Sequence, residues 1–412
     1  MSISAEMKAM MGALIEQNRD LLNRLARTKT PVDPRQVMMG YMDSWAECHG
    51  QEHYELLLEL AKIPAPSNHE EKRAEFCKQK LESWGAEGVY IDDALNVVYP
   101  IGCDGDKPIA VFMAHSDVVF PDTQELPLEV RDGKIFCPGI GDDTASVVSL
   151  LAAARFIAEN KMTPRDWGVL LVVNSGEEGL GNLKGCRKIM EDFGDRIKEF
   201  ITFDDQIGGG IDRAVGSMRY RIEVDTEGGH SYSAFGNRNA IAYLASLIDT
   251  LYTIKVPPKG KTTYNVGTIS GGTSVNTIAQ HAEMLYEFRS DEAESLAIME
   301  KHLWAAVEFY RSKGISVTVT SVGNRPCSGD VDEDTMADLR RRGSEACLRH
   351  CGVPIAYRSG STDCNIPLSM GIPAICVGTY QGAKSHTREE FVEIDSLLSG
   401  HKMAMDLVLH HF

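Results

Sequence analysis

Paired cysteines, basic charge and long apolar runs are all scarce in this chain of 412 residues. Its ten cysteines include no CxxC pair, so no redox motif or paired-cysteine zinc ribbon is written here. They read as reduced thiols in a cytoplasmic protein. Cys347 and Cys351 stand four apart beside His350, as a zinc knuckle or, the better reading, a helix carrying two small residues. No aliphatic run is longer than the five residues from Val169 to Val173, far short of the ~18 a membrane helix needs. The first 22 residues lack a basic cap followed by an apolar block, so no secretory signal is expected. Lysine and arginine number 42 against 59 acidic residues, a net charge of −17. Such a chain repels phosphate backbones and anionic lipid, which argues against nucleic-acid and membrane partners. Internal repeats and low-complexity tracts are also missing. What remains is ordinary for a globular protein, 43% hydrophobic and 25% charged, with length for two or three domains.

The first 30 residues have Met7, Met10, Met11, Leu14 and Ile15 at helical spacing, and the stretch Thr30 to Pro34 is expected to break that helix. Further helices are expected around Tyr54 to Ala61, from Glu70 to Trp84 and in the Ala/Val/Leu-rich segment Ala145 to Ile157. Short apolar strands alternate with them: Val89 to Ile91, Val97 to Tyr99, Ile109 to Ala114, Gly168 to Val173 and Phe200 to Phe203. This order predicts an α/β domain with a largely parallel sheet. The character changes near Gly216. Met218, Tyr220, Ile222 and Val224 alternate as in a half-buried strand. A helix (Asn239 to Leu251), two strands (Tyr264 to Ile269, Ala282 to Phe288), a helix (Glu292 to Ser312) and a strand (Ile315 to Ser321) follow. The order β-α-β-β-α-β is the ferredoxin-like split βαβ pattern. The tail, from Asp334, returns to α/β character, with a strand at Ala374 to Val377. The expected organisation is an N-terminal extension (1–45) and a discontinuous catalytic domain (46–214 and 323–412) interrupted by a lid (215–322).

Ligand-type residues gather where the expected strands end. Ile109 to Ala114 runs into His115-Ser116-Asp117, and Gly139-Ile140-Gly141-Asp142-Asp143 precedes the buried helix. Val169 to Val173 leads to Asn174-Ser175-Gly176-Glu177-Glu178, Phe200 to Phe203 to Asp204-Asp205, and a late Gly-rich loop to Ser385-His386-Thr387. Each group alone has an ordinary reading: a chance His-x-Asp, a turn and N-cap at Asp142-Asp143, a solvated helix start at Glu177-Glu178, a plain loop at Asp204-Asp205. Together they repeat at the carboxyl ends of strands, where open α/β sheets build their sites. Two histidines with several carboxylates suit zinc, or cobalt or manganese. Five such ligands exceed what one tetrahedral zinc takes, so a carboxylate shared by two metals is expected. Asp117 lies within reach of the second imidazole nitrogen of His115, where it would fix the tautomer. Of the adjacent glutamates, one can ligate while the other stays free as a general base.

The motifs Met113 to Val119, Gly139 to Asp143 and Ser175 to Gly181 carry a specific likeness. So do Glu227 to Ser231, Ser270 to Asn276, Gly360 to Asn365 and Ser385 to Thr387. With them the chain resembles the M20 family of metallopeptidases from about residue 50 to the C-terminus. The resemblance implies a zinc-peptidase-like catalytic domain with a mixed, largely parallel sheet, plus an inserted ferredoxin-like α+β lid/dimerisation domain. It implies two zinc ions held by His115, Asp142, Glu178, Asp204 and His386, with a cis peptide after Asp142. Asp205, next to Asp204, is the alternative for the last carboxylate. Glu177 matches the catalytic base. His230 matches a lid histidine that reaches the partner subunit's site in dimeric members and stabilises the oxyanion. Asn276 and Arg289 match lid positions that bind a substrate carboxylate, for which a guanidinium is apt.

The sequence departs from the family pattern at Thr144-Ala145, where Lys-Gly is usual, and at Lys384 before His386. Neither removes a ligand; both bear on substrate choice. The expected function is hydrolysis of amide bonds in small peptides by a homodimer. An Asp as third carboxylate ligand favours a di- or tripeptidase of aminopeptidase type. A carboxypeptidase, an N-acyl-amino-acid deacylase and an inactive binding protein are the alternatives.

Overall fold

The computed structural model describes residues 33–412, which fall into two units, 33–48 and 49–412. The amphipathic helix expected near the N-terminus lies outside the described residues. In the first unit, α1 (Pro34–Cys48) begins where the sequence reading expected a break. Proline is suited to the first helical turn, where its missing N–H leaves no bond unmade, and the Asp33 carboxylate accepts the Arg35 N–H at 3.0 Å.

The second unit opens with α2 (Gly50–Ala61) and α3 (Glu71–Ser83). The strands β1 (Tyr90–Ile91), β2 (Val97–Ile101) and β3 (Ile109–His115) come next. Every residue of β3 is buried, as expected for a central strand covered on both faces. A tight six-residue turn, Ile140–Ala145, leads into α4 (Ser146–Glu159). Nearly the whole of α4 is buried, which explains its apolar composition on all sides. Then come β4 (Gly168–Asn174), α5 (Lys184–Phe193), β5 (Ile197–Phe203) and β6 (Gly209–Ala214).

The insert runs through β7 (Gly216–Asp225), α6 (Ala240–Leu251), β8 (Thr262–Gly271), β9 (His281–Ser290), α7 (Ala293–Ser312) and β10 (Ser316–Arg325). Its four strands are antiparallel in the order β8-β9-β7-β10, with the expected split βαβ element order. Tyr220, Ile222 and Val224 of β7 point into a separate core with Leu244 and Leu247 of α6, Met284 and Phe288 of β9 and Leu303 and Val307 of α7. The alternating residues Arg221 and Asp225 are exposed, which is the period-two pattern read from the sequence.

After the insert the chain forms α8 (Glu333–Cys351), β11 (Ala356–Gly360), α9 (Asn365–Ser369), β12 (Ala374–Val377) and α10 (Ile394–Val408). Of these the sequence reading resolved only β12. Cys347 and Cys351 both lie on α8, while His350 turns to Asp406 of α10 at 3.1 Å, so the helix reading holds and no knuckle forms. The main sheet has eight strands in the order β1-β2-β4-β3-β5-β12-β6-β11. Parallel pairs join β3, β4, β5 and β12, and β6 with β11; the remaining pairs are antiparallel. Asn365 ties the two chain crossings into the insert, its amide donating to the carbonyls of Val215 at 2.8 Å and Pro326 at 2.9 Å.

Candidate metal centre

The buried run of β3 delivers His115 to the carboxyl edge of the sheet. Its backbone N–H donates to Asp143 Oδ2 at 3.0 Å. Its ring Nδ1 lies 3.0 Å from the Asp117 carbonyl and 3.4 Å from Asp117 Oδ1. Both are acceptors, so Nδ1 carries a proton and Nε2 is the nitrogen turned toward the site. Asp117 is itself gripped: Ser67 donates to Oδ2 at 2.6 Å, and the backbone N–H groups of Glu177 and Glu178 donate at 2.9 and 3.0 Å. One carboxylate thus orients both the imidazole and the glutamate pair.

The loop after Gly139 brings in Asp142. Gly139 has φ +73°, a left-handed conformation that suits glycine, and the Asp142–Asp143 peptide is cis, as the resemblance implies. Glu390 holds this loop by accepting the N–H groups of Gly139, Gly141 and Asp142 at 2.8–2.9 Å. The result aims the two oxygens of Asp142 at two imidazoles: Oδ1 lies 3.1 Å from His115 Nε2 and Oδ2 lies 3.0 Å from His386 Nε2. Glu178 Oε1 is also 3.0 Å from His386 Nε2, and Asp204 Oδ1 is 3.8 Å from His115 Nε2. Asp205 is instead paired with Arg358 at 2.5 Å.

Two donor triads result, His115 with Asp142 and Asp204, and Asp142 with Glu178 and His386. Within each, one donor atom per residue lies within 4.8 Å of the others. Asp142 belongs to both. His115, Glu177 and Glu178 form a third such group, and Glu223, His281 and Glu283 a fourth, on the insert. The chemistry of the first two sets fits divalent cations. Nε2 of His115 and the carboxylate oxygens of Asp142 and Asp204 face one another; a proton on Nε2 satisfies them, and a divalent cation would take that proton's place.

The electrostatics agree. Burial pushes the Glu178 carboxyl up to about 7 and drives Asp204 and Asp143 well above the usual carboxylate range. Burial acts the same way on Asp142, but the hydrogen bonds from His115 and His386 outweigh it and hold that carboxyl below its ordinary range. The bonds to Asp142 and Glu178 raise the His386 imidazole to about 11. The His115 imidazole is also raised: burial opposes its charge, and Asp117, Asp142 and Asp204 overcome that. The pocket concentrates negative charge and favours whatever positive charge enters it.

Three residues singled out in the sequence lie on the insert and belong to neither triad. His230 is exposed on a short strand (Gly229–His230) paired with Thr277–Ile278, and its Nδ1 accepts the N–H groups of Tyr232 and Ser233. Asn276 is exposed and bonds to Ser274 at 2.8 Å. Arg289 pairs with Glu287 at 3.0 Å. The sequence reading missed Glu390, Ser67 and Arg325. The guanidinium of Arg325 reaches Glu177 Oε1 at 2.9 Å. None of the three has a local motif; their only signal is a long-range contact.

A family model described as "Peptidase family M20/M25/M40" matches residues 111–410. The succinyl-diaminopimelate desuccinylase of Corynebacterium glutamicum is 23% identical over 346 residues, covering 82% of this chain and 91% of its own length. Among solved structures, a tripeptidase from Staphylococcus aureus superposes with a TM-score of 0.69 at 23% identity, over 87% of this chain and 97% of its own. A di-peptidase from Saccharomyces cerevisiae gives 0.71 at 14% identity, over 90% and 98%. The fold is shared with these structures, and the family match takes in every residue of the two triads. The chain belongs to peptidase family M20/M25/M40 and is a hydrolase of metallopeptidase type.

Proposed function

We propose that the protein is a dinuclear metal hydrolase that cleaves amide bonds of small peptides, a di- or tripeptidase of aminopeptidase type. The observation that carries the dinuclear reading is Asp142, whose two oxygens face two imidazoles in two donor triads. His115, Asp142 and Asp204 would hold one ion, and Asp142, Glu178 and His386 the other; zinc is the first choice and cobalt or manganese also suit. When bound, such ions supply Lewis acidity that polarises the scissile carbonyl and acidifies the attacking water.

The side chains do the rest. Asp117 keeps His115 in one tautomer. Glu177 takes the proton of the water as the new C–O bond forms. It then hands that proton to the amine nitrogen as the C–N bond breaks, leaving a carboxylic acid and an amine, and the acid's remaining proton passes to the amine to give a carboxylate and an ammonium. Arg289 and Asn276 bind a substrate carboxylate. His230 stabilises the oxyanion across a homodimer interface built by the lid (215–322), with the catalytic domain in residues 46–214 and 323–412. Exposed Tyr232 and Phe235, at 88% and 90%, follow His230 in the chain and support an interface there. Ten free thiols support a cytoplasmic setting. Among the described residues no helix is long and apolar enough to cross a membrane.

A second reading, an N-acyl-amino-acid deacylase, is favoured by the relative named as a succinyl-diaminopimelate desuccinylase. A panel of free-amine di- and tripeptides set against N-succinyl and N-acetyl amino acids separates the two. Cleavage of the acylated set alone overturns the peptidase reading. Glu177→Ala is expected to lower kcat about 10³-fold with metal content unchanged. Unchanged turnover removes Glu177 from the reaction.

A further inference from the structure

The glutamate loop is built partly by the insert. β10 ends at Arg325, and the next residue, Pro326, has its carbonyl pinned by Asn365. From that fixed point the guanidinium of Arg325 reaches into the site. Nη1 donates to Glu177 Oε1 at 2.9 Å and to Ser361 Oγ at 3.1 Å, and Nη2 donates to the Glu177 carbonyl. Both partners are 4% exposed. The neighbouring segment is held from the same side. The Asn324 N–H donates to Asn182 Oδ1 at 2.9 Å, Arg187 donates to the Asn324 carbonyl, and Arg219 of β7 donates to the Gly179 carbonyl.

A base that must stay off the metals needs an anchor other than a metal. The fork of an arginine meets this need, because it grips the carboxylate and the carbonyl of one residue together and so sets side chain and backbone at once. An ammonium offers a single point of charge and cannot do both. We infer that Arg325 is a positioning residue for Glu177. It engages Oε1 and leaves Oε2 to carry the proton, and it ties the orientation of the base to the seating of the insert on the catalytic body. This rests on the reading of Glu177 as the base.

The test uses the full metal-loaded chain and the best-cleaved compound of the panel above. It compares Arg325→Ala, Arg325→Lys, Glu177→Ala and the double variant Arg325→Ala/Glu177→Ala. Expected are a fall in kcat of about 100-fold for Arg325→Ala, the scale on which a displaced catalytic group acts, with KM within about twofold and metal content retained. Arg325→Lys keeps the charge without the fork and falls in between. Added guanidinium ion restores part of the activity of Arg325→Ala and none of that of the double variant. The double variant is no slower than Glu177→Ala, because the two residues act as one unit.

The inference is overturned if Arg325→Ala turns over within about threefold of the parent, or if its penalty recurs in full in the Glu177→Ala background. If Arg325→Ala does not fold, Arg325→Lys decides: parental kcat in that variant overturns the role of the fork. Parental activity in Glu177→Ala would instead remove the base assignment itself, an outcome separate from those of the Arg325 variants.

Discussion

Asp142 is the residue on which the two halves of the site meet, since each of its oxygens faces a different imidazole. His386 belongs to one triad only. The two residues therefore differ in what their loss does. If the proposed dinuclear centre holds, Asp142→Ala lowers bound metal to below one ion per chain, whereas His386→Ala leaves about one. Elemental analysis after gel filtration reads this directly, and equal losses in both variants would argue against a shared carboxylate. Most of the donors were legible in the sequence because each follows an apolar strand, and a strand end places its next residue at the sheet edge. The choice of Asp204 over Asp205 was not legible. It depends on which carboxylate meets Arg358, a residue more than 150 positions away in the chain.

At the scale of elements, the packing of α2 and α10 against α4 buries two imidazoles. His53 of α2 and His401 of α10 meet edge to face at 5.4 Å, and His401 Nδ1 lies 2.9 Å from Ser149 Oγ of α4. Burial holds His401 down to about 4 and, with His401 as neighbour, His53 down to about 2. Both imidazoles are neutral in the folded chain while the unfolded chain takes up protons below about 6.5. Stability is therefore whole above that pH and is lost as the pH falls from about 6.5 through about 4, by up to roughly 3 kcal/mol for His401 alone. Urea midpoints at pH 7.5, 6 and 5 test this. His401→Gln should flatten the dependence relative to the parent, and an identical slope would assign the acid loss to other groups. Elements with strong periodicity, such as α4 and β7, were legible in the sequence. α1 was not, because the Pro34 that was expected to end a helix instead occupies its first turn.

On the scale of the whole molecule, the insert presents an exposed apolar tip. Tyr232, Phe235 and Val275 are almost fully exposed beside His230. Apolar side chains grouped in this way mark an interaction surface. The protein is expected to run as a dimer with about twice the chain mass of 45.3 kDa in light scattering. On the proposed shared site, Tyr232→Glu combined with Phe235→Glu should yield a monomer that keeps its metal and loses most of its turnover, because His230 would no longer reach a partner's site. A fully active monomer would overturn the shared-site reading. The net charge of −17 acts at this scale too, setting which large partners are repelled rather than how the chain folds.

The sequence by itself determined the layered α/β class, the split βαβ insert and the clustering of donors at strand ends. These features are encoded locally, by hydrophobic period and by motifs a few residues long. Only the tertiary structure decided which groups hold those donors in place. Glu390 capping the 139–142 loop and Arg325 gripping Glu177 join residues about 150 to 250 positions apart. Such pairs leave no periodic trace in the sequence, because the path of the chain brings them together and not the spacing of neighbouring residues.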